Sequence, residues 1–274
     1  MSNTRFVYWA TTEWLGILEK LVSHGQRVNV RGRAIVEILS NQAVIDMRQP
    51  IINVAKRKLG LGFLFAEAGW ILGGKNDVQS IAPFSKQISN FSDDGLFFKG
   101  AYGPQVVQQL PYILETLTKD LYSRQAVTSI WKPSPGPSKD IPCTLTYQIM
   151  VRGNLVHMFL NMRSSDVWLG VPYDWFNFTM IAHYVLKYLR TVYPENDLQI
   201  GYLYFNAASQ HYYADDELKI LDILADSREG VYHPDTRIGP IFPGQFFSTF
   251  DDLPPERMST WLMDQAYYQI GVIE

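Results

Sequence analysis

The chain has 274 residues, 47% hydrophobic and 19% charged, with 24 Lys+Arg against 27 Asp+Glu for a net charge of −3. That apolar fraction supplies a sizeable core and excludes global disorder, and the lack of a basic excess excludes a long nucleic-acid footprint. A single cysteine, Cys143, excludes an intrachain disulfide and a multi-cysteine zinc site, and fits a reducing, cytoplasmic compartment.

Apolar residues at Val7, Trp14, Leu15, Ile17, Leu18, Leu21 and Val22 recur near a 3.6-residue period, which predicts a helix over 5–24 ended by Gly25. The N-terminal stretch lacks the apolar segment of a signal peptide. No window approaches 18 uninterrupted apolar residues, so no membrane partner is expected. Near alternation with β-branched residues predicts a strand over 28–39, bent at Gly32. LGFLFAEAGWILGG is almost wholly apolar and predicts a buried helix carrying one carboxylate, Glu67. Burying that charge without a partner is unfavourable by several kcal/mol, so Glu67 is either paired or functional.

Residues 75–103 mix Ser, Asn, Asp and Gly with scattered aromatics and read as a surface excursion, followed by a helix over 106–122. AVTSIW is a strand candidate, and KPSPGPSKD a proline-rich loop that delivers Cys143. TLTYQIMV and NLVHMFLNM read as two strands joined by an Arg152-Gly153 turn. A helix over 175–193, a strand over 200–213 and a loosely structured tail from Pro234 with a short helix over 257–268 complete the chain. Strands fill the middle and helices the outside, with no internal repeat or linker, so a single α+β domain spanning 1–274 is predicted. His24, His157, His183 and His233 have no partners at metal-ligand spacing, and no metal site is expected.

The chemistry centres on Cys143, which follows Pro142 at the exit of the proline-rich loop. Its bland alternative is a small buried hydrophobe. Twenty positions on, NMRSSDVWLGVPYDW places Arg163, Ser164 and Asp166 where a strand ends. An arginine beside a thiol lowers its pKa and can also bind a phosphate bidentately, so thiolate and anionic substrate can share one site.

These residues resemble the thymidylate synthase superfamily, whose members modify C5 of pyrimidine nucleotides with 5,10-methylenetetrahydrofolate. Its Pro-Cys loop is matched by Pro142-Cys143, and its Arg-Ser-x-Asp-x-x-Leu-Gly-x-Pro segment by RSSDVWLGVP at 163–172. Its buried glutamate is matched by Glu67 before Trp70 and Gly73, and its Tyr-Gly by Tyr102-Gly103. Its Ser-Arg before a strand ending in Trp is matched by Ser123-Arg124 and Trp131, and its His-x-Tyr by His211 and Tyr213. The ordered matches span roughly 28–215.

The departures from the family pattern are informative. Where the synthases carry an asparagine that reads uracil, this chain has Asp174, whose carboxyl can accept from the C4 amino group of cytosine and, if protonated, satisfy N3. On its own Asp174 would read as a surface turn residue after Pro172. Together with Thr144 after the cysteine and Asn-Met before Arg163, it resembles the deoxycytidylate hydroxymethylases of bacteriophages. Gln125 replaces a second arginine after Arg124, and VRGRA leaves Arg31 and Arg33 as alternatives for an N-terminal phosphate arginine.

The resemblance implies a mixed β-sheet flanked by helices, a homodimer formed through the sheet, and a dCMP or CMP substrate. It implies Cys143 as the nucleophile that adds to C6, Glu67 as the proton-transfer group working through ordered waters, and Asp174 and Tyr102 beside them. Arg163, Ser164 and Arg124, with Arg31 or Arg33, would hold the 5′-phosphate, His211 and Tyr213 the sugar hydroxyl, and Asp166 and Gly170 the pterin. Water would complete a hydroxymethyl transfer; the rivals are hydride completion, giving a C5-methyltransferase, a ribonucleotide substrate, and a non-catalytic nucleotide- or RNA-binding relative.

Overall fold

A computed structural model describes residues 9–231, 233–238, 250 and 252–272. Helix α1 (Ala10–His24) buries Trp14, Ile17, Leu18 and Leu21, and Gly25 ends it by returning its N–H to the Leu21 carbonyl at 2.8 Å. A side chain at Gly25 would collide with Leu21 O and Val36 at 2.4 Å, so only glycine turns the chain here. The start expected at 5–8 lies outside the described residues.

The strand expected over 28–39 is instead a hairpin of β1 (Gln26–Val30) and β2 (Arg33–Asp46). Val30 faces Arg33 across a two-residue turn, and both turn residues are left-handed, Arg31 at φ 52° and Gly32 at φ 78°. Gly32 therefore reverses the chain rather than bending it. Helices α2 (Leu61–Leu72), α3 (Val78–Ile81) and α4 (Tyr102–Lys119) follow, then β3 (Val127–Ser129).

Strands β4 (Thr144–Arg152) and β5 (Leu155–Met162) form the expected hairpin, but Arg152 pairs with Leu155, so the turn is Gly153-Asn154, with Gly153 at φ 59°. Beyond the short β6 (Ser165–Asp166), α5 spans Val171–Val192. It begins four residues earlier than expected because Pro172 sits in its first turn, where a missing N–H removes no helical bond. Asp174 is thereby a helix residue and partly buried, which overturns the exposed-turn alternative. Strand β7 (Gln199–Tyr213), an unexpected α6 (Glu217–Arg228) and α7 (Met258–Gln269) complete the described chain.

The strands form one mixed sheet in the order β1-β2-β7-β5-β4-β3, with β6 beside β7. Pairing is antiparallel except where β7 meets β5 and β6, and α5 carries the crossover from β5 to β7. One sheet face, with Tyr147, Ile149, Met158, Leu160, Leu203 and Phe205, is buried in the core and meets α5. The alternate residues Gln148, Met150, Phe159, Asn161, Tyr202 and Tyr204 are half-buried on the other face. Helix α7 lies along the glycine stripe of α2, where a Cβ at Gly69 would stand 2.9 Å from Ser259 O. Among the described residues no helix is long and apolar enough to cross a membrane.

Candidate active site

Cys143 and Arg163 are twenty residues apart in sequence but neighbours at the open end of the β4–β5 hairpin, where Arg163 N donates to Cys143 O at 2.9 Å. The guanidinium of Arg163 grips the nucleophile loop. Nε donates to Pro142 O at 2.9 Å, Nη2 to Ile141 O at 3.0 Å, and Nη2 stands 3.9 Å from the Cys143 sulfur. The same group lies 5.8 Å from the ring centre of Trp131. Burial pushes the Cys143 thiol up to about 11. Arg163 opposes that rise, but the carboxyls of Asp174, Asp140 and Asp166 add to it. The lowered thiol expected from Arg163 is therefore corrected: in the free protein burial outweighs the cation.

Glu67 enters from α2, and its Oε2 accepts from Asn177 Nδ2 of α5 at 2.7 Å. Burial lifts the Glu67 carboxyl to about 7, against this single donor. One turn before Asn177, Asp174 is raised well above the carboxylate range, first by burial and then by the charges of Glu67 and Asp166. Burial thus favours the protonated form of Asp174. Tyr102, at the start of α4, accepts from the backbone N–H of Thr144 at 3.3 Å, and burial with the charges of Asp174 and Cys143 holds its phenol protonated. Glu67, Asp174, Tyr102 and Asp140 line one cavity of about 240 Å³. Its remaining wall is apolar and includes Trp70, Ile88, Phe91 and Phe98.

The 166–170 turn is fixed from several sides. Asp166 Oδ1 accepts from the N–H groups of Trp168 and Leu169 at 2.8 and 3.0 Å, while Gly170 N donates back to Asp166 O. Trp14 Nε1 donates to Val167 O at 2.7 Å and Arg57 Nη2 to Trp168 O at 2.6 Å. A Cβ on Gly170 would meet Asp166 O at 3.1 Å and Asp174 Oδ2 at 3.2 Å, so this glycine lets the turn close against α5. Asp166 Oδ2 is buried without a partner, an acceptor left for a ligand's N–H. Ser164, half-buried, separates Arg163 from β6.

His211 pairs with Asp166 across β7 and β6, and its ring stands edge-on to Tyr213 at 5.6 Å. Burial lowers the His211 pKa and the Asp166 charge opposes that shift; its Nδ1 is buried without a partner. Arg33 stacks over Tyr213 at 3.5 Å and pairs with Asp215, which brings it beside His211 on β7. Arg31 sits at the hairpin tip instead. Arg124 is not gathered with the others. It lines a separate concavity of about 450 Å³ with Tyr112, Lys119, Tyr122 and Gln125.

Two residues escaped the sequence reading, Asp140 in the cavity wall and Asn177 behind Glu67. Asn177 is three positions beyond Asp174, the spacing of one helix face, and that signal was available once the helix start was placed correctly. Asp140, three residues before Cys143, accepts from Gly100 N at 2.7 Å and is raised by burial. In a proline-rich loop it reads as an ordinary exposed turn acid.

A thiol beside an arginine, next in sequence to the Thr144 N–H that bonds the cavity residue Tyr102, equips a protein for nucleophilic and acid–base chemistry. Residues 12–239 match the family model described as thymidylate synthase, and the chain belongs to that family. Among characterised relatives it is 27% identical over 229 residues to a deoxyuridylate hydroxymethyltransferase of Bacillus phage SP01, covering 75% of this chain and 57% of that protein. To the deoxyuridylate hydroxymethyltransferase of Pseudomonas phage M6 it is 35% identical over 144 residues, covering 48% and 41%. A thymidylate synthase of Francisella philomiragia is 23% identical over 227 residues, covering 73% and 79%. The chain spans about half the length of the two phage relatives.

Proposed function

We propose that the chain is a folate-dependent hydroxymethyltransferase that acts at C5 of a pyrimidine deoxynucleotide, with deoxycytidylate as substrate. The observation that carries the base assignment is the place of Asp174, enclosed with Glu67 in one cavity wall where burial favours its protonated form. When the Cys143 sulfur bonds to C6 of cytosine, the displaced electron pair moves through the ring to N3, which must then gain a proton. A carboxylic acid can give it one, and an amide cannot. Asp174 donates to N3 while its other oxygen accepts from the exocyclic amino group.

The remaining roles follow from position. Arg163 holds the Cys143 loop and favours the thiolate, so loss of the thiol proton accompanies substrate binding rather than preceding it. Methylenetetrahydrofolate supplies, when bound, the one-carbon unit that C5 attacks. The apolar wall with Trp70, Phe91 and Phe98 suits a flat ring, and the unpartnered Asp166 Oδ2 suits its N–H donors. Glu67, titrating near neutrality, takes and returns protons of the water that ends the reaction as a hydroxymethyl group. Arg163 and Arg33, with Ser164, would meet the 5′-phosphate, and His211 and Tyr213 the sugar.

A second reading, deoxyuridylate, is favoured by the phage relatives, both described as acting on that nucleotide. Uracil already carries a proton on N3, so Asp174 would then serve only as a hydrogen-bond partner. The two part on one experiment: incubation with dCMP, CMP or dUMP and methylenetetrahydrofolate, products read by mass spectrometry, which also separates a hydroxymethyl from a methyl product. We expect hydroxymethylated dCMP. Asp174→Asn should lower dCMP turnover by about 100-fold, the scale of one lost general acid, and raise the relative rate on dUMP. Wild-type turnover of dUMP alone, with Asp174→Asn at least as active, would replace the first reading by the second.

A further inference from the structure

Asn177 is 2% exposed and stands on the α5 face that meets α2. Its Nδ2 donates to Glu67 Oε2 at 2.7 Å, whereas its Oδ1, equally inside the protein, has no partner. A buried amide with an idle carbonyl is an unfavourable way to fill core space, and a leucine of similar size would fill it better. What the amide does supply is a hydrogen bond to the Glu67 carboxyl, the one such bond among the described residues. The reversed amide would set Oδ1 against Oε2, two acceptors face to face, so the donor orientation is fixed whenever Glu67 is ionised.

Among the described residues no second hydrogen bond reaches the Glu67 carboxyl. Helix α5 also presents Asp174, α4 presents Tyr102, and the loop before β4 presents Asp140, all three in the cavity wall. The 78–98 segment adds apolar Ile81, Ile88, Phe91 and Phe98. Helix α7 covers the glycine side of α2 with Ser259, Leu262 and Met263, which are uncharged.

Resting on the proposed role of Glu67 in proton transfer, we propose that Asn177 is a positioning residue: its Nδ2 holds Oε2 as an acceptor and leaves Oε1 as the oxygen that takes up and returns protons in the cavity. A proton arriving at Oε1 leaves again from Oε1, and the Asn177 bond persists through both states. Asn177 itself touches neither nucleotide nor folate.

The test reads Glu67 directly, by carbon NMR of protein labelled at glutamate side-chain carboxyls, with the Glu67 signal assigned by its loss in Glu67→Gln. In Asn177→Leu the Glu67 midpoint should rise by about one unit, the effect of losing one donor to a carboxylate, and the acid limb of the rate profile should rise with it. Asn177→Ser, which keeps a hydroxyl donor, should stay closer to wild type. Should the leucine variant fail to fold, Asn177→Ala decides, because it removes the donor without adding a group that titrates. An unmoved Glu67 midpoint, or a rate loss with the acid limb in place, would overturn the proposal. The titration needs no substrate. A shifted midpoint in a protein inactive on every pyrimidine nucleotide would sink the function and keep the positioning, and activity with an unmoved midpoint would do the reverse.

Discussion

Cys143 shows how far a single residue can be read from sequence. Its place after Pro142 and the distant Arg163 were enough to bring thiol and guanidinium together, because both flank one hairpin. The sign of the net pKa shift was not legible, since it depends on how the fold encloses the thiol and sets Asp140, Asp166 and Asp174 about it. With the thiol near 11, about one molecule in a thousand is a thiolate at pH 8 in the free protein. Alkylation by iodoacetamide should therefore be slow at neutral pH and climb roughly tenfold per unit towards pH 11. Removing the cation with Arg163→Met should move that climb to still higher pH. A plateau reached by pH 8 in the wild type would show that Arg163 outweighs burial after all. Asn177 was illegible for a different reason: an asparagine in a helix reads as a surface residue, and its partner Glu67 is 110 positions earlier.

At the scale of elements, α2 was predicted closely because nothing but a buried helix accommodates LGFLFAEAGWIL. Helix α6 was missed because only Ile220, Ile223 and Leu224 are buried, too narrow a stripe to stand out among its charges. It is held partly by Lys56, which pairs with Asp222 and Asp226 from outside the helix. The glycines of α2 carried a signal that composition hides. Gly62 and Gly69 are seven residues apart and so share a face, which lets α7 approach until Ile270 and Ser259 would touch an added methyl at 2.7 and 2.9 Å. Gly69→Ala gains helix propensity of about 1 kcal/mol but forces α7 outward, a clash of typically 1–3 kcal/mol. A net loss of up to about 2 kcal/mol in urea unfolding is expected. Stabilisation would mean that α7 is free to shift.

The whole chain leaves one gap in its own site. Arg124 lies in a concavity apart from the cavity, and the sheet's outer face presents Phe159 stacked on Tyr204 at 4.7 Å, half-buried and uncharged. Both features fit the homodimer that the family resemblance implies, in which a second copy would cover that face and lend its Arg124. Tyr204→Arg should then give monomers in sedimentation equilibrium, with loss of turnover. Mixed Cys143→Ser and Arg124→Ala chains should regain activity in roughly a quarter of sites, because random pairing makes half the dimers hybrid with one intact site each. No recovery on mixing would place Arg124 outside the site. One further consequence belongs to the order of synthesis. Ser259 Oγ bonds Gly69 O at 2.7 Å across 190 residues, so the helix that bears Glu67 is born long before its cover. At about 5–20 residues per second the ribosome needs roughly 10–40 s to deliver α7. For that interval the glycine stripe of α2 lacks its cover from α7, apolar surface of the kind that chaperones bind, on the element that bears Glu67.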